Sequence, residues 1–581
     1  MDDTYESWGQ RADEFENGTV CIGIDLGTTN SCVGYWKEGA NHAKIINHTA
    51  TDGKHKTVPS VVSFPSQGNP FVGFDAVEHE QKYEPDTVTI RSAKRLMGKT
   101  LAEMADEQKY LSYTLCDADG HVAIDLPSKK SIATPSEVSA ILLKYIKDTA
   151  EDKLGHQVFN CVLTVPAYFN ESQRQSTLKA ATMAGFQGIR LLNEPTAAAM
   201  AYGLFIAGKK RVAIFDFGGG TLDVSILSID SGTFAVDGVG GDTHLGGEDI
   251  NHLLVDFVLD SISQEQNGGK PLPLPLTRTA IIQLQQAAEH AKVTLSTQKD
   301  VSIYLKDVGG IKAHKMKLSR AKLESLCAPV LTRCVDITRD VLTSIGLTPQ
   351  DIDEVVLVCI VGGSTRIPAL RTKLSALFDG KVKTLSFDVL CTSVNADEVV
   401  ASGAAIQAAI LSGVDKRVFQ DVLMMDVIPL SIGIEMADGR MEVLIPKNSQ
   451  IPISVTKSFD TYEDHQKGIT VEVFEGDHPV ARDNVYLTYF NFTLPRHKLG
   501  KAGEFQHAVT LSMNENGVLQ VKAGAQHEID ENEAAVSKKW IVVLGVYMAC
   551  MAAMYVFVRV YFSTDRLAYT DQYSAVNNED L

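Results

Sequence analysis

Two segments of this chain repeat one arrangement: an apolar strand that ends in aspartate and then turns through glycine and threonine. The first is IGIDLGTTNSC at residues 22–32, where Asp25 is followed by Gly27, Thr28, Thr29 and Asn30. The second is IFDFGGGTLDV at 214–224, where Asp216 is followed by Gly218, Gly219, Gly220 and Thr221. Small residues at such a turn let backbone N–H groups and hydroxyls come close to a polyphosphate. A carboxylate at the strand end, Asp25 or Asp216, can hold the waters of a magnesium ion. Either segment alone also reads as a tight hairpin with an aspartate. Two of them facing each other would clamp a phosphate tail from both sides, a far more specific signal than a lone glycine-rich loop. A third glycine pair, VGGSTR at 361–366, follows the apolar run 355–360 and adds Gly362, Gly363, Ser364 and Arg366.

The surroundings suit an α/β fold. Apolar runs at 21–26, 158–165 and 211–216 read as buried strands, and the spacing of apolar residues predicts helices over 137–154 and 277–295, the second capped by Thr277. A chain of 581 residues is too long for one ordinary core, so two or more domains are expected. Beyond about residue 428 the pattern becomes β-rich, with strands over 450–457, 468–475 and 517–523 and turn signals at Asp438-Gly439 and Asn516-Gly517. A sandwich of antiparallel strands fits that stretch. Between the two regions FQDVLMMDV (419–427) sets a short apolar run between Asp421 and Asp426. A flexible tether would be rich in Gly and Ser, so a segment buried in only one of two states is the better reading.

The net charge of −18 argues against general nucleic-acid binding, which needs a basic surface. Nine cysteines without a C-x-x-C pair suggest buried thiols in a reducing compartment, with no zinc site or disulfide framework. The acidic N-terminus has neither a basic nor an apolar targeting region. Near the other end, WIVVLGVYMACMAAMYVFV (540–558) is 19 residues without a charge, enough to cross about 30 Å of hydrocarbon as a helix. A transmembrane helix over 540–562 is therefore expected, with a buried core helix as the competing reading. Lys538-Lys539 places the N-terminal bulk in the cytosol. The expected location is a single-pass membrane protein, at the endoplasmic reticulum ahead of the mitochondrial outer membrane.

IDLGTTNS, IFDFGGGTLDVSIL and VGGSTRIPAL resemble the three signatures of the 70-kDa heat-shock proteins. LNEPTAAAMAYGL (192–204), TVPAYFNESQRQ (164–175) and HLGGEDI (244–250) are similar to the same family, and the likeness runs from about residue 20 to 525. It implies an actin-like, sugar-kinase-like two-lobed ATPase domain over 20–413 and an interdomain linker over 414–427. A β-sandwich domain that grips extended hydrophobic peptides would fill 428–525. An acidic tail (1–19), a juxtamembrane segment (526–539) and a C-terminal tail (563–581) complete the expected division.

The resemblance also implies roles. Lys94, in SAKRLMG (92–98), would be the catalytic lysine. Thr28 and Thr221 would hold phosphates or water, Asp25 and Asp216 the Mg²⁺ and K⁺ shells, and Glu194 a water near the metal; Asp223 would tie the second loop. Glu289, Lys292 and Ser296 match the adenosine-contacting helix, where Val293 replaces the usual basic residue; Arg366 could still cover the base. Asp397 is kept, although Ala396 precedes it where proline is usual. Pro166 and Arg174 resemble the switch that reports nucleotide state. ATP or ADP, unfolded client polypeptides, a J-domain co-chaperone and a nucleotide-exchange factor are the implied ligands and partners. The helical lid of the family finds no room between 525 and 540, so fast peptide release is expected. The alternative function is a weakly hydrolysing, membrane-tethered holdase or scaffold; an actin-like filament former is disfavoured by the linker and sandwich.

Overall fold

The computed structural model describes residues 20–524, apart from 41, 49–54, 83–86, 204–207, 273–274, 309, 359–363, 385–397, 420–421, 494–499 and 505. The chain divides into two compact units. One comprises Met1–Val455, Val471–Phe490 and Leu511–Gln520, the other Thr456–Thr470, Asn491–Thr510 and Val521–Leu581.

The larger unit holds two sheets built on the same plan. In the first, the strands run Gly188–Asn193, Asn160–Val165, Cys21–Asp25, Asn30–Tyr35 and Lys44–Ile45, with Thr57–Pro59 also paired to Asn30–Tyr35. Cys21–Asp25 lies antiparallel to the strand that follows its turn and parallel to Asn160–Val165. In the second sheet Lys209–Phe217 is likewise antiparallel to Leu222–Asp230 and parallel to Glu354–Val358. The repeated sequence is thus a repeated structure, a hairpin with one parallel neighbour. Strands covered on both faces carry near-continuous apolar runs, and Cys21–Asp25 and Asn160–Val165 are buried throughout.

Helices Glu194–Gly203 and Val399–Ser412 share a core with Cys21, Val162, Val212, Ile214 and Val356, residues drawn from both sheets. Glycine is needed where these elements touch. A Cβ on Gly23 would lie 2.1 Å from the Ala405 nitrogen, and one on Gly403 would lie 1.8 Å from the Ala197 oxygen. The helix read over 137–154 begins two residues earlier, as Pro135–Leu154, because Thr134 and Glu137 cap it reciprocally and proline suits the first turn. Thr277 caps Arg278–Thr297 through the Ala280 N–H, as its sequence indicates.

The described end of the segment between the two expected domains is not a loop. Leu423–Val427 is a strand that lies parallel to Thr233–Asp242, with Leu423, Met424 and Met425 opposite Thr233, Phe234 and Ala235. Within the same unit Ile432–Glu435 and Met441–Ile445 form a hairpin around Gly439, whose φ of 81° is one that glycine adopts without strain. The smaller unit contains parts of the strands Ile453–Asp460, Gly468–Glu475, Val485–Thr493 and Gln506–Met513. In it the Thr456 and Thr510 hydroxyls share a 2.8 Å hydrogen bond, and the Tyr462 N–H donates to Gln466 Oε1 at 3.0 Å.

Among the described residues no helix is long and apolar enough to cross a membrane. The apolar helix Val399–Ser412 has 14 residues, roughly 21 Å at 1.5 Å per residue and short of the ~30 Å hydrocarbon layer. The transmembrane helix expected in the fold class, and the single-pass membrane location with it, are corrected accordingly. Residues 540–562, where that helix was expected, lie outside the described residues.

Candidate nucleotide site

The two glycine–threonine turns face each other. A Cβ on Gly219 would fall 2.2 Å from Thr29 Oγ1, and one on Gly220 would fall 2.9 Å from Thr28 Oγ1 and 2.8 Å from Arg95 Cγ. Only glycine leaves the backbone bare there. The first turn is held by Ser60, whose hydroxyl donates to the Gly27 oxygen at 2.7 Å and whose N–H donates to the Thr29 oxygen at 2.9 Å. Asn30 opens the next strand opposite Pro59. The second turn closes through the Gly218 N–H on the Thr221 oxygen at 3.0 Å. The Gly218 oxygen also accepts from the Gly247 N–H at 3.0 Å and from Ser364 Oγ at 3.2 Å, and the Gly219 oxygen accepts from the Glu248 N–H at 2.8 Å. These bonds fasten the first turn of helix Gly247–Gln266 to the loop.

Behind the turns lie Asp25, Asp216 and Glu194, each 2% exposed, Asp223 at 1% and Lys94 at 6%. Lys94 Nζ is ion-paired with Glu194 Oε1. Thr164 Oγ1 donates to Asp25 Oδ1 at 3.3 Å, and the Tyr168 N–H donates to Asp223 Oδ1 at 3.0 Å. Both carboxylate oxygens of Asp216 lack a hydrogen-bond partner among the described residues. Burial, reinforced by the Glu194 charge, pushes Asp25 and Asp223 up to about 7 and raises Asp216 well above the carboxylate range. Four buried carboxylates beside one lysine leave an excess of negative charge that a divalent cation would offset. The bare oxygens of Asp216 and the side-chain-free glycine cradle fit magnesium and a polyphosphate.

The expected nucleoside-contacting residues lie on helix Arg278–Thr297. Lys292 Nζ donates to the Gly247 oxygen at 3.0 Å and to Glu289 Oε2 at 2.7 Å; Asn251 Nδ2 donates to the same Glu289 oxygen at 2.9 Å. Ser296 Oγ donates to the Lys292 oxygen at 3.3 Å. Val293 is 48% exposed. Ser364 and Arg366 form a short 3-10 turn beyond the third glycine segment. Gly362, Gly363 and Asp397 lie outside the described residues.

A cross-connection was not anticipated from the sequence. Arg95 makes two 3.0 Å bonds to the Asp249 carboxylate and one of 3.2 Å to Glu107, which also accepts from His244 Nε2 at 2.8 Å. His252 stacks on Tyr110, ring centroids 3.8 Å apart. Leu96 and Met97 belong to the core of the first sheet, Ile250 and Leu254 to that of the second, so the contact joins the two sides. Ligand atoms of Glu107, His244 and Asp249 lie within 4.8 Å of one another, but the Arg95 guanidinium already supplies the positive charge there. Arg95 and Asp249 sit inside quoted motifs, whereas Glu107 and His252 carry no local signature.

The family comparison fits this geometry. The family model described as Hsp70 protein matches residues 21–541. The chain belongs to the Hsp70 family. A heat shock 70 kDa protein of Neurospora crassa is 39% identical over 514 residues, covering 86% of this chain and 75% of that protein. Hsp70 members are ATPase chaperones, so ATP or ADP with Mg²⁺ are the ligands that the family implies for the cleft. The Hsp70 match extends beyond residue 525, the expected end of the β-rich region, as far as 541.

Proposed function

We propose that this Hsp70-family chain hydrolyses ATP in the cleft between the two glycine turns and uses the reaction to control binding of extended, hydrophobic polypeptide segments. The observation that carries the reading is the buried Lys94–Glu194 pair behind a bare glycine cradle, next to an Asp216 carboxylate without hydrogen-bond partners.

Phosphoryl transfer to water needs chiefly positioning and charge neutralisation. When bound, magnesium supplies charge neutralisation at the β- and γ-phosphates. Asp25 and Asp216 would hold its water shell, and potassium would share that environment. Glu194 orients Lys94 Nζ toward the reacting end, and Thr28 and Thr221 offer hydroxyls to phosphate or water. Backbone N–H groups of Gly27, Thr28, Thr29, Gly219 and Gly220 line the phosphate path. Glu289, Lys292 and Ser296 would receive the ribose and base, with Arg366 toward the base.

Strand Leu423–Val427 gives the coupling its physical form. It adds to the sheet that carries Asp216, and its Asp426 accepts from Asn193 Nδ2 at 2.8 Å, one residue before Glu194. A strand that joins or leaves this sheet would transmit the state of the cleft to the β-rich residues that follow. A J-domain protein and an exchange factor are the partners that such a cycle uses.

Steady-state ATPase of the full chain, alone and with a J-domain protein, tests the reading against Lys94→Ala. Turnover well above the variant is expected. Turnover equal to the variant, with nucleotide still bound, would leave a nucleotide-holding scaffold instead.

A further inference from the structure

Two buried carboxylates and a half-buried one lie near one buried guanidinium where β-rich residues pack on the first sheet and its helices. Glu171 opens helix Glu171–Met183, Glu475 ends strand Gly468–Glu475, and Asp426 lies in Leu423–Val427. Glu171 and Glu475 are each 3% exposed. Glu475 Oε2 accepts the Glu171 N–H at 3.1 Å. The Glu171 carboxylate accepts from Gln175 Nε2 at 3.0 Å and from the Leu519 N–H at 3.2 Å. Asp426 is supplied by Asn193, by Thr196 Oγ1 at 3.1 Å and by the Val427 N–H at 2.8 Å.

Arg174 does not neutralise this group directly. Its N–H donors go to the main-chain oxygens of Phe169, Ala167 and Asn516 and to Asn193 Oδ1. The other charged groups nearby are engaged or of the same sign. Arg190 faces Glu515 at 3.9 Å, Lys447 pairs with Asp477 at 3.0 Å, and Asp223 accepts the Tyr168 N–H at 3.0 Å. Among the described residues neither Glu171 nor Glu475 has an ion-pair partner. Two like charges in a dry contact are costly unless one of them is neutralised.

We propose that Glu171 and Glu475 form a proton-dependent clasp, so that the strands carrying Glu475 and Leu519 hold to helix Glu171–Met183 with at least one proton on the pair. Burial, with the charge of Glu475 adding to it, brings Glu171 up to about 8, and burial brings Glu475 up to about 7. Both values lie above the ordinary 4.5. The clasp is therefore strongest below about 4.5, weakens as pH rises from there, and has lost the proton's contribution above about 8. Within that window each pH unit shifts the docking constant by up to about tenfold per proton. Mild acid would favour the docked state and alkali the released one. The clasp rests on the proposed movement of the linker strand, although the contact itself needs no nucleotide to be tested.

Hydrogen-exchange mass spectrometry of the full chain, with and without Mg-ATP, can follow protection factors of peptides spanning 423–427 and 471–475 between pH 5.5 and 8.5. In the wild type, protection should fall by several-fold to about tenfold per unit between pH 6 and 8. Glu475→Gln and Glu171→Gln keep the side-chain size and remove the like charge, so both should flatten the slope and exceed wild-type protection at pH 8. A flat wild-type profile, or an equal slope in both variants, overturns the clasp. A slope that Glu475→Gln removes but ATP does not alter supports the clasp and counts against ATP as the force that moves the strand.

Discussion

Asp216 and Glu289 are acids of the same cleft in opposite circumstances. Asp216 is buried with both oxygens bare, whereas Glu289 already holds Lys292 and Asn251. On the proposed reading the phosphate end carries a desolvation cost that a cation or a proton offsets, and the nucleoside end is paired in advance. Stored electrostatic cost at a site is the usual signature of function traded against stability. The proposed reactive end of the cleft is thus marked by what it leaves unsatisfied, and the proposed recognition end by what it has prearranged.

Lys94→Ala should have the largest effect. It removes the cation paired with the buried Glu194 and leaves that carboxylate without its partner among the described residues. Loss of a preorganised charge of this kind costs on the order of 10²–10³ in kcat, with little change in KM. A single-turnover measurement at saturating ATP checks it, and a fall of less than tenfold would remove Lys94 from the chemistry.

Asp216→Asn and Glu289→Gln set the two ends directly against each other. The amide at 216 relieves a buried charge, so it should stabilise the nucleotide-free chain by about 1–2 kcal/mol while abolishing the magnesium dependence of nucleotide binding. At 289 the amide removes half of an existing pair, which should lower stability slightly, by about 0.5–1 kcal/mol, and weaken nucleotide binding several-fold. Urea unfolding with and without Mg-ATP measures both. Shifts of the same sign in the two apo variants would erase the distinction between the ends.

Glu107 belongs to neither end and holds the cleft's two sides together. Burial alone would raise its pKa, but the His244 hydrogen bond and the Arg95 charge bring it down to about 2. A depressed carboxylate contributes stability above its ordinary value of 4.5, and the contribution is lost as pH falls from there toward 2. Glu107→Gln should cost on the order of 1 kcal/mol at pH 6, a difference that narrows on acidification through that window. Faster ADP release from the variant at pH 7 would show that the same contact restrains opening.

How far these features were legible depends on whether their cause is local. Asp25, Asp216 and the glycine turns are readable because one short segment contains strand, acid and turn together, and because the arrangement occurs twice. Thr277 is readable as a cap for the same reason. Glu107, His252, Glu171 and Glu475 owe their properties to partners 12 to more than 300 residues away, as Glu107 does to Arg95 at 12 and Glu171 to Glu475 at 304, and nothing beside them in the chain announces it. The apolar run 540–558 shows the opposite weakness. Length and hydropathy alone suggested a membrane span there, a reading that no helix among the described residues supports.

Val293→Arg tests the nucleoside end by the smallest expected change. Val293 is nearly half exposed on the helix that carries Glu289, Lys292 and Ser296, so an arginine there meets no packed core. A guanidinium placed over an aromatic base at an exposed site gains about 0.5–1 kcal/mol, which corresponds to a two- to fivefold tighter Kd. The gain should appear as slower nucleotide release with kcat for hydrolysis unchanged, because Lys94, Asp216 and the glycine turns are untouched. Tighter binding accompanied by a changed kcat would mean that the two ends of the cleft are coupled, and the division drawn between Asp216 and Glu289 would have to be replaced by a single cooperative site.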